Sequence, residues 1–312
     1  MKTSYSGIDI GGANIKVYDG SSRICYFPMW QRWKELGDFL KGLGLEGRVG
    51  VVLTGELADS FSSKAEGVVY ITNAVREAFD DVVFIDLDGN LKREIDNPEN
   101  FAANNWVASV KFLSEEFADF IFADMGSTTT DLIPVKDGKI LAGKTDFERL
   151  DRKELLYFGM LRTPSSFLVK RNCSSEFFSI TGDAMLVLGL IDETAYSCET
   201  PDGRGKSSAE CMQRLARQVC ADLHEVGEDY VIGLAGEIRD EMVSRVAKAF
   251  EQKRNLYGIE TAIGCGIGEV LLEEAAELAE MEYVSLRERY GEVSDIFPAF
   301  AMARLVELDD SG

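Results

Sequence analysis

Short apolar runs and longer stretches with a helical period alternate along the chain, which predicts a mixed α/β protein. Ser6–Ile10, Ile15–Tyr18 and Arg23–Phe27 read as a three-stranded meander, with Asp19-Gly20 as a turn signal. Pro28 ends it, and Trp30–Leu40 is predicted as a helix with Trp33, Leu36 and Leu40 on one face. Val49–Leu53 is a continuous apolar strand, as expected of a parallel strand covered on both faces. Gly67–Phe79 is expected to be helical, Val82–Asp86 a strand and Asn100–Phe117 an amphipathic helix. Further strands are predicted at Phe120–Ala123, Lys139–Ala142 and Ile259–Ile263. Helices are predicted from Asp183, over Ser207–Leu223, Gly236–Lys253 and Val270–Glu282, and at about 297–308.

The chemistry concentrates where strands end. Phe120–Ala123 runs into Asp124, Gly126, the hydroxyl run Ser127, Thr128, Thr129 and Thr130, and a second carboxylate, Asp131. Gly126 allows a sharp turn, and the hydroxyls add donors to the backbone N–H groups, as an anion-binding turn needs. Asp124 and Asp131 can hold a hard cation such as Mg²⁺. A plain β-hairpin with a β-branched second strand fits the same residues, so this turn alone does not decide. A second copy of the pattern lies near the N-terminus: Asp9, Gly11, Gly12, Asn14 and Lys16, again strand, Asp, glycines and return strand. Two such hairpins suggest two related domains whose turns face each other across a cleft. In this layout the chain resembles the actin, sugar-kinase and Hsp70 superfamily. The resemblance implies an α/β fold of two actin/sugar-kinase-like (ribonuclease H-like) domains with mixed sheets facing a central cleft. The expected domains are residues 1–118 and 119–312, with the last helix able to pack back on the first.

Composition narrows the function. At 312 residues, with 46% apolar and 28% charged, the chain suits two soluble domains. A net charge of −21 argues against nucleic acid or an anionic membrane as partner, since phosphates would be repelled. No apolar run approaches the roughly 18 residues of a membrane helix, and the N-terminus enters a strand directly, so a cytoplasmic location is expected. The six cysteines (Cys25, Cys173, Cys198, Cys211, Cys220, Cys265) form no C-x-x-C pair and read as reduced thiols, mostly buried. His224 is the only histidine, which removes most His-shuttle chemistry and His-rich metal sites. It lies in the helical pattern of Leu215, Val219 and Leu223 and reads as structural. The amphipathic helices leave a homodimer open.

Other charged residues sit in glycine- or proline-flanked turns. Glu56 and Asp59 follow the Val49–Leu53 strand, at the end where open α/β sheets bind ligands. Asp146/Arg149 and Asp183/Arg162 are further candidate pairs, each equally readable as a surface ion pair. Gly264 and Gly266, in the G-C-G-I-G-E turn between a strand and a helix, have the context of a phosphate- or nucleotide-binding loop.

Taken in order, D-I-G-G-A-N-I-K, T-G-E-L-A-D, D-M-G-S-T-T-T-D-L-I-P, K-T-D-F-E-R-L, R-T-P and T-P-D-G-R-G-K resemble the archaeal hydantoinase/oxoprolinase-related synthase family of methanofuran biosynthesis. The likeness runs from about Gly7 to Gly268. It implies a transferase that joins an aminomethyl-furanmethanol diphosphate (a furfuryl diphosphate) to the phenol of γ-glutamyltyramine and releases diphosphate.

For that reaction the expected catalytic residues are Asp9, Asp124, Asp59, Glu56 and Asp146. The diphosphate would lie against Gly11, Gly12, Asn14, Lys16, Gly126 and Ser127 to Thr130. Mg²⁺ would be held by Asp9, Asp124 and Asp131. Substrate contacts are expected from Arg149, Arg162, Thr163, Asp183, Asp202, Gly264 and Gly266. ATP is not expected to be required. A phenol titrates at about 10, so a base or a nearby cation must assist, and with one histidine the base is expected to be a carboxylate: Asp59, Glu56 or Asp146. The alternatives are an ATP-dependent kinase or amide-activating enzyme, and a non-catalytic nucleotide-binding scaffold.

Overall fold

A computed structural model describes residues Tyr5–Ser311, so the predicted direct entry of Met1–Ser4 into a strand lies outside the described residues. The chain forms two compact units. One comprises Met1–Asp119, Val135–Asp151 and Leu286–Gly312, and the other Phe120–Pro134 and Arg152–Ser285. The segment that carries Asp146 and Arg149 therefore belongs with the N-terminal part of the chain.

The first unit is built on β1 (Tyr5–Gly11), β2 (Asn14–Tyr18), β3 (Ser22–Tyr26), β4 (Arg48–Thr54), β5 (Asp81–Ile85) and β6 (Leu91–Lys92). Their order is β3-β2-β1-β4-β5-β6. The meander is antiparallel, β1 pairs β4 and β4 pairs β5 in parallel, and β6 returns antiparallel. One face of this sheet carries Ile8, Ile10, Val49 and Val51, packed with Leu36, Leu40, Val68, Ile71 and Val75 in a single core. Each such side chain taken fully out of water contributes about 1.5–3 kcal/mol. The other face receives the C-terminal helix Phe297–Ser311, which packs on β1, β4 and the helix Asn105–Leu113. A Cβ on Gly7 would lie 1.8 Å from the Ala299 carbonyl oxygen, so only glycine allows the helix this close to β1.

The second sheet is formed by β7 (Phe120–Met125), β8 (Thr130–Lys136), β9 (Lys139–Ile140), β10 (Leu155–Leu156), β11 (Thr261–Cys265) and β12 (Glu282–Ser285), with β9 and the end of β8 falling in the first unit. The order is β10-β8-β7-β11-β12, with β9 on β8. Parallel pairing of β7 with β11 sets Asp124 opposite Cys265. The chain leaves this unit within β8, between Pro134 and Val135. Both sheets are mixed and flanked by helices, as the sequence pattern predicts.

Several elements differ from expectation. Trp30–Leu40 is not one helix: Met29–Arg32 and Leu36–Gly42 are joined by a 3₁₀ turn. The Asn100–Phe117 helix starts only at Asn105, because Ala103 is left-handed (φ +50°) and Asn104 ties two strands. Asn104 Oδ1 accepts the Leu53 N–H at 2.7 Å, and its Nδ2 donates to the Ile85 carbonyl at 2.6 Å. The Gly236–Lys253 helix is longer, Glu228–Tyr257, since Gly233 and Gly236 sit inside it while Val231, Leu234 and Ile238 keep the buried stripe. The Ser207–Leu223 helix opens with a Ser207–Glu210 capping box but stops at Gln218, before left-handed Cys220. His224 consequently lies on the short helix Leu223–Val226 and is exposed, not packed in a helical stripe. Among the described residues the cysteines are free, with Cys198, Cys211 and Cys265 buried. No described helix is long and apolar enough to cross a membrane.

Candidate functional site

In the first unit, β1 delivers buried Asp9 to a turn made by Gly11 and Gly12. A Cβ on Gly11 would lie 2.8 Å from the Asn14 carbonyl oxygen, so the turn closes only with glycine. Met29 N–H donates to the Gly12 carbonyl and Phe27 N–H to that of Ala13, which anchors the turn from behind. Thr54 at the end of β4 reaches Asp9 through its hydroxyl at 3.5 Å. Asn14 Oδ1 is buried with no hydrogen-bond partner among the described residues, a state that a ligand or ion would relieve. Lys16 stands opposite Asp9 in the β1–β2 register.

One residue past Thr54, Gly55 lies against the Gly11 turn; a Cβ there would be 3.0 Å from the Gly11 carbonyl. Glu56 follows and is fully buried. Its Oε2 is buried with no hydrogen-bond partner among the described residues. Burial above all, and then the nearby charge of Asp146, push Glu56 up to about 7, with Lys64 acting in the opposite direction.

Asp146 heads the short helix Asp146–Asp151 and is gripped twice, by Lys64 at 2.9 Å and by Arg149 at 2.6 Å. Burial works against its charge, but the two cations outweigh it and hold the carboxyl below its usual range. Arg149 is itself buried and lies over the Trp106 ring, 5.2 Å from the centroid. Asp146 and Trp106 thus hold the guanidinium expected to contact substrate. Asp59 is exposed and has no hydrogen bond or ion pair among the described residues.

In the second unit, Gly126 N–H closes the β7–β8 turn on the Thr129 carbonyl at 3.0 Å. Ser127, Thr128 and Thr129 remain partly exposed, whereas Asp124 and Asp131 are buried. The segment Phe158–Arg162 braces this turn: Met160 N–H donates to the Gly126 carbonyl, and Leu161 and Arg162 N–H groups both donate to that of Ser127. Arg162 Nη1 lies 3.3 Å from the Thr128 hydroxyl, which puts a guanidinium beside the hydroxyl run. Gly159 makes the brace fit, because a Cβ there would meet the Gly126 carbonyl at 2.6 Å and the Thr128 nitrogen at 2.7 Å. Sequence reasoning did not single out this glycine; its place in G-M-L-R-T-P was the available signal.

Gly266 is left-handed (φ +91°), and a Cβ would lie 2.6 Å from Asp124 Oδ1, so it shapes the surroundings of that carboxylate. Gly264 instead lies inside β11 with the Tyr283 ring filling the space of a side chain; it is a packing glycine, not a loop glycine. Thr130 and Thr163 are likewise spent on the fold: the Thr130 hydroxyl donates to the Phe158 carbonyl at 2.9 Å, and Thr163 Oγ1 accepts the Gly159 N–H at 3.0 Å.

Asp183 does not pair with Arg162. It forms a fully buried ion pair with Arg214 at 2.7 Å and accepts the Tyr196 hydroxyl at 3.0 Å. Arg214 also holds Asp202 at 3.1 Å and the Gly205 carbonyl at 3.0 Å, so both expected substrate aspartates serve the 197–206 loop. Among the described residues no group of three or more His, Cys, Asp or Glu forms a ready metal cluster.

Residues 48–308 match the hydantoinase/oxoprolinase family. The chain belongs to this family. It is 40% identical over 327 aligned positions, 98% of each chain, to (4-{4-[2-(gamma-L-glutamylamino)ethyl]phenoxymethyl}furan-2-yl)methanamine synthase of Methanocaldococcus jannaschii. A protein of the same name from Methanococcus vannielii is 40% identical over 200 residues, 60% of this chain and 90% of that one. Among solved structures, a ROK family glucokinase from Streptomyces griseus aligns with a TM-score of 0.50 at 13% identity, over 97% of this chain and 98% of its own. A nucleotide-free acetone carboxylase aligns with a TM-score of 0.50 at 12% identity, over 89% of this chain and 46% of its own. These likenesses establish the actin/sugar-kinase-type fold.

Proposed function

We propose that this member of the family is a transferase that joins an aminomethyl-furfuryl diphosphate to the phenol oxygen of γ-glutamyltyramine and releases diphosphate. The observation that carries the reading is the 40% identity, over 98% of both chains, to a synthase whose name describes an aryl ether between a furan methylene and a γ-glutamylaminoethyl phenol. The bond changes are few. The phenol loses its proton, its oxygen forms a C–O bond to the furan methylene, and the methylene–diphosphate C–O bond breaks with its electron pair on the leaving group.

The residues suit those demands. Ser127, Thr128 and Arg162 offer hydroxyl and guanidinium donors to an anion, and the Gly11–Gly12 turn leaves backbone open to close approach. Asp9 with the unpartnered Oδ1 of Asn14, and Asp124 with Asp131, are hard oxygen donors of the kind Mg²⁺ takes. When bound, such a cation supplies Lewis-acid stabilisation of charge on the diphosphate oxygens. A carboxylate removes the phenolic proton. The energy of the bond is already in the diphosphate ester, so ATP has no part in the reaction.

The test is a mass-spectrometric product assay with purified protein, Mg²⁺, the furfuryl diphosphate and γ-glutamyltyramine, with and without ATP. Ether and diphosphate formed equally in both are expected. ADP or phosphate released from ATP with no ether would place the chain among ATP-dependent enzymes instead.

A further inference from the structure

We infer that Glu56 is the base that receives the phenolic proton, and that Asp146 is a positioning residue which cannot act as that base. This rests on the coupling reaction proposed above. Three carboxylates meet the sequence criteria for the role, and the structure separates them. Asp59 is exposed, with no hydrogen bond or ion pair among the described residues to fix it. Asp146 has both oxygens occupied, Oδ2 by Lys64 and Oδ1 by Arg149, and is held ionised as a weak base. Of the three, Glu56 alone is both fully buried and left with a carboxylate oxygen unpartnered.

An unfilled acceptor on a buried carboxylate is costly unless a donor arrives to occupy it, and a phenolic O–H is a donor of the right size. The position is also right along the chain. Gly55 packs on Gly11, so Glu56 lies one residue from contact with the turn assigned to the diphosphate in the same unit. On the other side Gly67 has no room for a Cβ, which would come 2.4 Å from the Glu56 carbonyl oxygen. The helix Lys64–Ala78 therefore abuts Glu56 and fixes its backbone.

The charged groups that bear on Glu56 are Asp146, held by Arg149, and Lys64. Asp9 on β1 is engaged by Thr54. Burial and Asp146 raise Glu56 to about 7, where a base is ionised enough to accept a proton and basic enough to draw on a phenol. The proton moves from the phenol to Oε2 as the phenol oxygen bonds to the furan methylene and the electron pair of the cleaved C–O bond leaves on diphosphate.

The experiment compares wild type, Glu56→Gln and Asp146→Asn for ether formation across pH 5.5–9.5, roughly the range over which such a base titrates. Each is run with γ-glutamyltyramine and with a ring-fluorinated analogue whose phenol is more acidic, after circular dichroism confirms folding. Glu56→Gln is expected to lose about 10²–10⁴-fold in kcat, to lose the acid limb of the profile, and to recover most of its rate with the fluorinated acceptor. Asp146→Asn is expected to move the acid limb to lower pH, and this readout decides the matter if Glu56→Gln does not fold. An acid limb that persists in folded Glu56→Gln, a rate within a few-fold of wild type, or a limb unmoved in Asp146→Asn overturns the assignment. Wild-type protein that makes no ether overturns the coupling reading itself, a result distinct from any of these.

Discussion

Lys64 Nζ lies 2.9 Å from Asp146 Oδ2, joining residues 82 positions apart in the chain. The pair brings the start of one helix to the start of another and leaves Glu56 between opposed influences, Asp146 raising its basicity and Lys64 lowering it. Arg149 continues the arrangement by holding the second oxygen of Asp146 from above the Trp106 ring.

Removal of Lys64 tests that balance. Lys64→Met takes away the cation that favours ionised Glu56, while Arg149 still restrains Asp146. The acid limb should therefore move to higher pH, with a rate loss of about two- to tenfold near pH 6.5 and little loss at pH 9. A pH–rate profile settles it; a loss uniform across pH would show that Lys64 acts by some other route.

Glu56 also makes stability depend on pH, and the sign is defined. Its folded value, about 7, lies above its ordinary value of 4.5, so between these the folded state binds more protons than the unfolded state. Stability contributed by this group is complete below the unfolded value and is lost as pH rises through 7. The cost once fully ionised is about 3 kcal/mol. Glu56→Gln removes that cost, so its melting temperature relative to wild type should be several degrees more favourable at pH 8 than at pH 5. Parallel melting curves across pH would contradict the buried, raised carboxylate.

How much of this could be read from sequence depends on how local each signal is. The two Asp–Gly turns are legible because strand, carboxylate, glycine and return strand follow one another within a dozen or so residues, and they fold as such. The two-residue strands β6, β10 and the end of β9 carry no periodicity to detect. Left-handed Ala103 is not a turn signal, since alanine seldom adopts that backbone, and only Asn104's bonds to distant strands hold it there. Asp183 could not be matched to Arg214, or Asp146 to Lys64, because those partners are set by packing of elements far apart in the chain. Gly264 and Gly266 look alike in sequence but differ in backbone, extended in β11 against φ +91°, and in what stands beside them, Tyr283 in one case and Asp124 in the other.

Two tightly packed glycines predict a loss of activity when a methyl is added. Gly159→Ala places a methyl against Gly126 and Thr128, and Gly266→Ala places one against Asp124 at a positive φ. Both should depress ether formation by at least about tenfold, because a site displaced by 1 Å loses rate out of proportion to stability. Binding of diphosphate, followed by calorimetry, should weaken most in Gly159→Ala, whose clash is with the turn proposed to bind the anion. Full activity in a folded Gly159→Ala would show that the Phe158–Arg162 brace does not shape the site.

The Asp183–Arg214 pair tests a structural role against the recognition role that sequence assigned to Asp183. Both side chains are fully buried, and Arg214 also carries Asp202 and the Gly205 carbonyl. Removing one partner leaves an uncompensated buried charge, so Arg214→Met should lower stability by about 3–5 kcal/mol, read as a shift in the urea midpoint. Loss of its bonds to Asp202 and Gly205 should also free the 197–206 loop, exposing Arg204 and Lys206 to trypsin. Arg162 and the β7–β8 turn take no bond from Arg214, so at a temperature where the variant is folded its KM for the diphosphate substrate should stay close to wild type. A large KM increase with unchanged stability would return Asp183 and Asp202 to the substrate site.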